Sequence, residues 1–316
     1  MLVLSAADVE RLLDLDRLVD AVAVAMAELS AGRAVMPPRT IMEVIGEDGL
    51  LGVMPAYLPA TGALVTKLVS LFPNNIDRPA VQAIICCFDP KDGTPVAVMD
   101  GASVTSARTA AGSALASRLL ARPDSRVVTI IGTGVQARSH AGALARRVGI
   151  EVIQIVGRDP ARAAALVDEL TAAGIAAVAA ESVEDAVRSA DIVCATTHAD
   201  QPVVRREWLR PGTHINSVGF NPDGAGEVDA ATVAEALLVV ESREAALAEA
   251  VELQQAPDVH AELGELVAGT RPGRTDDHQL TLYKSVGLAV QDAAAAALIL
   301  ESALSSPAAG TPSVEA

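Results

Sequence analysis

One stretch of twelve residues, Arg126–Ala137, constrains the fold of this chain more than any other. It begins with a run of Val and Ile, which is typical of a strand buried on both faces of a parallel sheet. Gly132–Ala137 then reads G-T-G-V-Q-A, and apolar residues follow at helical spacing. A strand, a glycine turn and a helix in this order form the dinucleotide-binding fingerprint, whereas a glycine turn without that context is a weak signal.

The small residues of the turn each have a role in that fingerprint. Gly132 permits the tight turn, Gly134 lets the backbone approach a pyrophosphate, and Ala137 allows the helix to pack closely on the strand. The N-terminus of the helix offers unpaired N–H groups to the phosphates. We therefore expect the chain to bind a nicotinamide dinucleotide at this turn.

The patterning divides the 316 residues into two domains and a tail. Before Arg126, strand patterns separated by Gly and Pro predict an α+β domain with an antiparallel or mixed sheet; after it, alternating strands and helices predict a doubly wound parallel α/β sheet. The expected domains are residues 1–115 with 285–304, and residues 116–284. Residues 305–316 are rich in Ser, Pro and Ala and are expected to be a disordered tail.

Parts of four helices can be predicted from local signals. Ser5 is a candidate N-cap for a first helix, and Gly32 is a candidate terminator of a second. A helix of small residues is expected over Thr105–Leu120, and an Ala-rich helix over Ser285–Ser302 is expected to pack back on the first domain.

Composition excludes several classes of partner. The net charge of −16 argues against a nucleic acid or an anionic membrane surface, since either would need a basic face. No apolar run approaches the roughly 18 residues of a membrane span. Three cysteines and five histidines without metal-ligand spacing predict a cytoplasmic protein with no bound metal.

The end of the second strand of the α/β domain bears on the choice of cofactor. An acidic residue there binds the ribose 2′-hydroxyl of NAD, whereas an Arg accommodates the 2′-phosphate of NADP. Here Gly157 stands where the acid is expected, and Arg158 and Asp159 follow it. Arg158 favours NADP(H), with NAD(H) as the alternative; Asp159 is also a candidate cap for the next helix.

Several motifs in order make the chain resemble the ornithine cyclodeaminase/mu-crystallin family over nearly its whole length. They are GVMPAY at Gly52–Tyr57, TKLV at Thr66–Val69, AVMDG at Ala97–Gly101, RTAA at Arg108–Ala111, the glycine turn, HINSVG at His214–Gly219, AELGE at Ala261–Glu265 and YKSVG at Tyr283–Gly287. The resemblance implies a Rossmann domain beside a substrate-binding and dimerisation domain, and therefore a homodimer.

The resemblance also implies site residues. Arg39, Lys67 and Arg108 would bind the substrate carboxylate. Contacts to the cofactor would come from the turn (Gly132, Thr133, Gly134, Val135 and Gln136), from Arg158 and Asp159, and from Thr196, Thr197, Val218 and Ser285.

Two departures separate this chain from the cyclodeaminases of the family. Asn221 stands where they carry a catalytic Asp, and an amide cannot accept a proton as a carboxylate can. Gly52 lies near the position where they carry a Glu. We therefore assign Asn221 as a catalytic-position residue with Lys67 and Arg108, and place the chain nearer to the ketimine reductases.

The expected activity is NAD(P)H-dependent reduction of a small α-imino acid, such as pyrroline-2-carboxylate or piperideine-2-carboxylate, to the amino acid. Lys67 either binds the carboxylate, which we favour, or supplies the proton, which would require a lowered pKa. The alternatives are an ornithine cyclodeaminase or alanine dehydrogenase that uses NAD, and a protein that binds NADP and a small carboxylate without turnover.

Overall fold

A computed structural model describes residues 1–147, 149–219, 224–254 and 258–305. The strands are β1 (Leu2–Leu4), β2 (Thr40–Val44), β3 (Gly49–Leu58), β4 (Ala63–Leu71), β5 (Val81–Phe88), β6 (Pro95–Asp100), β7 (Val127–Ile131), β8 (Val152–Val156), β9 (Ala177–Ala179), β10 (Ile192–Ala195), β11 (His214–Ser217), β12 (Leu237–Val240), β13 (Ala261–Glu262) and β14 (Thr281–Lys284). The helices are α1 (Ala6–Leu12), α2 (Leu15–Ser30), α3 (Gly101–Leu120), α4 (Val135–Arg147), α5 (Pro160–Ala172), α6 (Val183–Ser189), α7 (Ala230–Glu235), α8 (Arg243–Glu249), α9 (Leu263–Val267) and α10 (Ala289–Ser305).

The chain divides into two compact units. One comprises Met1–Arg108 and the segment that begins at Leu288; the other is Thr109–Gly287. The first boundary falls inside α3, and the second falls between β14 and α10. The tail expected over residues 305–316 lies outside the described residues except for Ser305, which ends α10.

The first unit is built on a six-stranded mixed sheet. Its strand order is β1-β6-β5-β4-β3-β2, and every pair is antiparallel except β1 with β6. Alternate residues point to one face, where Met54, Leu58 and Ile85 are buried. Helix α10 packs against β3 and β4 and against α2, as its apolar composition predicted.

The opposite face of this sheet is partly open. Val53, Leu68 and Ile84 are register partners on β3, β4 and β5, so their side chains lie side by side on that face. Val53 is 36% exposed and Ile84 is 45% exposed, and Met42 on β2 is exposed as well. Apolar side chains on an uncovered sheet face are typical of an interaction surface.

The second unit contains an eight-stranded sheet whose strands are all parallel. The order is β13-β12-β14-β11-β10-β7-β8-β9, which confirms the predicted doubly wound α/β architecture. Two of these strands, β13 and β14, were not predicted, because their place in the sheet is decided by pairing with β12 and, for β14, also with β11. The sheet packs between two clusters of buried aliphatic side chains, one on each face.

Local capping signals set the first helices as predicted. The Ser5 hydroxyl accepts a hydrogen bond from the backbone N–H of Asp8, and the Asp8 carboxylate accepts one from the backbone N–H of Ser5, which completes a capping box at α1. Gly32 follows α2 with a φ of +70°, the left-handed conformation that ends many helices.

Two other predicted helix starts are wrong. Helix α3 begins at Gly101 instead of Thr105, because the Asp100 carboxylate accepts a hydrogen bond from the N–H of Ser103 and caps an earlier turn. Helix α10 begins at Ala289 instead of Ser285, because the backbone N–H groups of Val286 and Gly287 donate to the buried carboxylate of Glu241.

Candidate functional site

The residues predicted to contact a cofactor follow the carboxyl ends of neighbouring strands in the parallel sheet. Gly132 follows β7, Thr196 follows β10, Val218 follows β11, Gly157 follows β8 and Ser285 follows β14. From β7 the chain runs outward through β8 and β9, and it then returns to β10 on the other side of β7. In open α/β sheets ligands bind at such a reversal of strand order, so the topology supports a dinucleotide site beside β7.

Gly132 has no room for a side chain. Its φ is +127°, and a Cβ atom there would lie 2.5 Å from Thr196 Oγ1 and 2.9 Å from the Thr196 carbonyl oxygen. Gly134 is different, because a Cβ atom would meet no described atom within 4 Å. The turn is therefore closed against the sheet at Gly132 and open at Gly134, the position where a pyrophosphate must approach the backbone.

The first turn of α4 supports the same interpretation. Val135 is exposed, although it is a large apolar residue. The Gln136 Oε1 atom is buried and has no hydrogen-bond partner among the described residues. A buried acceptor without a partner is costly, and a bound ligand is one way in which such a group is satisfied.

The turn after β8 separates the two candidate roles of Arg158 and Asp159. Asp159 caps α5, since its carboxylate accepts hydrogen bonds from the N–H groups of Ala161 and Arg162. Arg158 is exposed and has no hydrogen bond or ion pair within the described parts of the chain. A Cβ atom at Gly157 would lie 2.9 Å from Thr133 Cγ2, so a larger residue at the position where NAD-binding sheets carry an acid would have to displace the Thr133 methyl group.

A buried carboxylate that the sequence analysis missed joins two of these strand ends. Glu227 accepts hydrogen bonds from the Thr197 N–H at 2.6 Å, the Ser217 hydroxyl at 3.0 Å and the Gly219 N–H at 2.7 Å. Beside it, Lys284 Nζ lies 2.8 Å from a carboxylate oxygen of Glu252. These contacts fix the loops after β10 and β11.

A second buried carboxylate, Glu241 after β12, holds the segment that contains Ser285. It accepts hydrogen bonds from the Tyr283 and Ser285 hydroxyls and from the N–H groups of Val286 and Gly287, at 2.7–3.0 Å. Glu241 therefore fixes the backbone after β14 and orients the Ser285 hydroxyl. The sequence signal was an acid that directly follows an apolar strand in a parallel pattern.

In the first unit, two of the three predicted cations form a buried cluster. Lys67 is 2% exposed and Arg108 is 4% exposed. Asp292 on α10 is fully buried between them, with Oδ2 at 2.8 Å from Lys67 Nζ and Oδ1 at 3.0 Å from Arg108 Nε. The cluster thus buries two positive charges against one negative charge, an imbalance that favours binding of an anion.

Neighbouring groups complete this cluster. The Gln291 side-chain oxygen accepts a hydrogen bond from Arg108 Nη1 at 3.2 Å, and Lys67 Nζ donates one to Thr105 Oγ1 at 3.4 Å. Arg39 is half-buried and lies close enough for its charge to act on Lys67. Asp292 and Gln291 were missed in the sequence analysis, and the available signal was a polar pair inside an otherwise apolar, Ala-rich helix.

The electrostatics of Lys67 are unusual. Burial lowers the pKa of its ammonium group from 10.5 to about 8, Arg108 and Arg39 act in the same direction, and Asp292 opposes them. The pKa of Asp292 is lowered by Lys67 and Arg108 in spite of its burial. Asp292 therefore stays ionised, and Lys67 titrates not far above neutral pH.

The other acid–base candidates are placed as follows. Asn221 lies outside the described residues. Burial lowers the pKa of His140 to about 4 and that of His214 to about 3, so both imidazoles are neutral at pH 7. In the described ranges, no three His, Cys, Asp or Glu side chains are arranged to hold a metal ion, and no helix is long and apolar enough to cross a membrane.

The chain is similar in sequence and fold to several known proteins. The chain is 40% identical to the ketimine reductase mu-crystallin of Mus musculus over 86% of both chains. It is similar to the structure of Thermococcus litoralis Δ1-pyrroline-2-carboxylate reductase in complex with NADH and L-proline (TM-score 0.94, 40% identity, 99% and 100% of the two chains covered). It is also similar to an archaeal alanine dehydrogenase dimer with bound NAD (TM-score 0.90, 35% identity, 96% of both chains covered).

The family model that matches covers almost the whole chain. Residues 1–307 match the ornithine cyclodeaminase/mu-crystallin family. The glycine turn, the all-parallel sheet and the buried Lys67–Arg108 pair all lie within the matched range. The chain belongs to the ornithine cyclodeaminase/mu-crystallin family.

Proposed function

We propose that this protein is an NAD(P)H-dependent reductase of small cyclic α-imino acids, with Δ1-pyrroline-2-carboxylate or Δ1-piperideine-2-carboxylate as substrate. The observation that carries the proposal is the buried pair Lys67–Arg108, which brings two positive charges together on the carboxylate of Asp292. A substrate carboxylate would bind to these cations through charge-assisted hydrogen bonds. The similar T. litoralis reductase, whose structure contains NADH and L-proline, supports this assignment.

The proposed reaction needs a hydride and a proton. A reduced nicotinamide supplies the hydride to the imine carbon, and the ring nitrogen takes a proton, so the products are the cyclic amino acid and oxidised cofactor. In this chain Arg39, Lys67 and Arg108 would bind and orient the carboxylate. Gly132–Gln136, Thr196, Thr197, Val218 and Ser285 would form the cofactor site.

We also propose that NADPH is the preferred cofactor. Arg158 is exposed, has no partner among the described side chains, and follows the strand at whose end a 2′-phosphate lies in such sheets. Thr133 obstructs an acidic side chain at Gly157, which weighs against recognition of the NAD ribose by a carboxylate. Asp159 would act mainly as the cap of α5 beside the adenosine ribose.

The experiment is a substrate-and-cofactor matrix. Oxidation of NADPH and of NADH is followed with pyrroline-2-carboxylate, piperideine-2-carboxylate and pyruvate plus ammonia, and release of proline from L-ornithine is measured in parallel. We expect turnover with the two cyclic imines and a higher kcat/KM with NADPH. Proline and ammonia formed from ornithine would instead indicate a cyclodeaminase, and turnover of pyruvate plus ammonia alone an alanine dehydrogenase. NADPH binding without turnover of any substrate would indicate a non-catalytic binding protein.

We further propose that the chain is a homodimer joined through the open face of the six-stranded sheet. Val53, Leu68 and Ile84 form a row on that face, and the similar alanine dehydrogenase is described as a dimer. Ile84→Arg should convert the dimer to a monomer in sedimentation equilibrium. The matched control is Val178→Arg, since Val178 is equally exposed on an edge strand of the other sheet. A wild-type monomer, or an Ile84→Arg dimer of unchanged affinity, would contradict this assembly.

A further inference from the structure

Asp292 occupies hydrogen-bond donors of the two cations that we propose as the binding site of a substrate carboxylate. A carboxylate buried between the two cations that would bind a substrate carboxylate competes with that substrate for their hydrogen bonds. Asp292 nevertheless lies in the first turn of α10 with no exposed surface. The burial of Asp292 between Lys67 and Arg108 is therefore not explained by charge pairing alone.

Each oxygen of Asp292 engages a different cation in a different way. Oδ1 contacts Arg108 at Nε, on the side of the guanidinium next to the aliphatic chain. Nη1 of the same group is turned to Gln291. Oδ2 contacts the Lys67 ammonium group, which can donate three hydrogen bonds and also contacts Thr105. Asp292 thus fixes both cations from one side of the cluster and uses only part of their donor capacity.

The charges around Lys67 show what would happen without Asp292. The groups whose fields reach its ammonium are Asp292 on α10, Arg108 on α3 and Arg39 just before β2. Burial and both arginines favour the neutral amine, and of these three groups only Asp292 favours the ammonium. Removal of the Asp292 charge would leave Lys67 to lose its proton at lower pH.

We propose that Asp292 is a positioning residue, which holds Lys67 and Arg108 at a fixed separation and keeps Lys67 protonated so that the two cations together accept one carboxylate. The proposal rests on the proposed function only in naming a carboxylate as the ligand. Asp292 need not touch that ligand. Because Asp292 controls the protonation of Lys67, anion binding at this site should depend on pH.

The composition of the chain offers a direct measurement. The sequence contains only three lysines, Lys67, Lys91 and Lys284. Labelling with ε-¹³C-lysine therefore gives three NMR signals, which Lys67→Met and Lys91→Met variants assign. We expect the wild-type Lys67 signal to titrate near pH 8, well below the ordinary lysine value of 10.5. In Asp292→Asn the Lys67 midpoint should fall by at least one further pH unit, and in Asp292→Glu it should stay within a few tenths of a unit.

The functional arm uses L-proline as the probe. Its affinity, measured by calorimetry in the presence of NADP⁺ from pH 6 to 9.5, should decline as Lys67 loses its proton. The decline should begin at least one unit lower in Asp292→Asn than in the wild type. Glu301→Gln is the matched control. Glu301 also lies on α10 and pairs with an arginine, Arg17, but its side chain is 60% exposed. It should leave both midpoints unchanged.

Turnover of imines tests the proposed function, whereas the Lys67 and L-proline midpoints test the role of Asp292. If imines are not turned over but the NMR and proline midpoints move, the proposed activity is wrong and the role of Asp292 stands. If turnover occurs but the Lys67 midpoint is the same in Asp292→Asn as in the wild type, the role of Asp292 is wrong. If Asp292→Asn does not fold, as judged by a cooperative melt and NADPH binding, the wild-type titration decides. A Lys67 midpoint at the ordinary value of 10.5 overturns the proposal, and so does a midpoint that saturating L-proline fails to raise.

Discussion

Gly132 and Thr196 lie so close together that no side chain fits between them: a Cβ atom on Gly132 would be 2.5 Å from Thr196 Oγ1. The Thr196 hydroxyl and N–H both donate to the Ile131 carbonyl, at 3.0 Å and 2.9 Å, which ties the start of the loop after β10 to the end of β7. The glycine turn is thus closed by contacts between adjacent parallel strands before any cofactor binds.

Because only Gly132 makes this contact, substitution of Gly132 and substitution of Gly134 should have different effects. Gly132→Ala should lower the free energy of unfolding by about 1–3 kcal/mol, because φ is +127° and the methyl group meets Thr196. Gly134→Ala should leave the melting temperature nearly unchanged and weaken NADPH binding, since its methyl group would occupy the space in which we place the pyrophosphate.

The control for both is Gly142→Ala, which lies inside α4 with open space around it. It should be neutral or slightly stabilising and should not affect NADPH binding. Melting by differential scanning calorimetry and NADPH titration by fluorescence give the two readouts. A Gly134→Ala variant that binds NADPH as tightly as the wild type would show that the cofactor does not approach this turn.

Arg158 is expected to discriminate between the cofactors. Arg158→Ala should weaken NADPH binding about 10- to 100-fold, the loss expected for a charge-assisted hydrogen bond to phosphate, and should change NADH binding less than about threefold. The control is Arg162→Ala, which removes an exposed Arg one turn further along α5. Equal losses for the two cofactors in Arg158→Ala would contradict the assignment.

The buried Lys67 should leave a signature in the pH dependence of stability. Its pKa is about 8 in the folded chain and 10.5 ordinarily, so between these values the unfolded chain binds the proton and the folded chain does not. The free energy of unfolding should therefore rise with pH in this window, by at most about 1.4 kcal/mol per unit, and should show no such slope from Lys67 below pH 8. Lys67→Met should lack this rise.

The measurement is urea denaturation from pH 7 to 10.5 in wild type, Lys67→Met and Lys91→Met. Lys91 is exposed, so its loss should leave the slope unchanged. The difference between wild type and Lys67→Met isolates Lys67 from the tyrosines and cysteines that also titrate at alkaline pH. A parallel pair of curves would mean that Lys67 has an ordinary pKa.

Glu241 is expected to stabilise the segment that contains Ser285. Glu241→Gln replaces one of two acceptor oxygens by a donor that faces other donors, so it should cost about 2–4 kcal/mol and lower the melting temperature by several degrees. Glu235→Gln removes an exposed carboxylate that pairs with Arg206, and it should change stability by less than about 1 kcal/mol. Similar effects of the two substitutions would show that the four hydrogen bonds to Glu241 contribute little.

Much of the fold could be predicted from local patterns. The glycine turn, the alternation after Arg126 and the Ser5 cap each depend on residues a few positions apart, so periodicity and capping rules identify them. The short strand β14 could not be predicted, because its pairing with β11 and β12 decides it. The true starts of α3 and α10 could not be predicted either, because they depend on backbone N–H groups that donate to the carboxylates of Asp100 and Glu241.

The sequence by itself determined that this chain carries a dinucleotide-binding sheet and which basic residues could meet a carboxylate, because those signals are local or contained in contiguous motifs. Only the tertiary structure showed that Asp292, 225 positions after Lys67, lies between Lys67 and Arg108, and that Glu227 and Glu241 fix the strand ends beside the glycine turn. The physical reason is that a buried charge is tolerated only beside partners that the fold brings together, and no spacing along the chain specifies them.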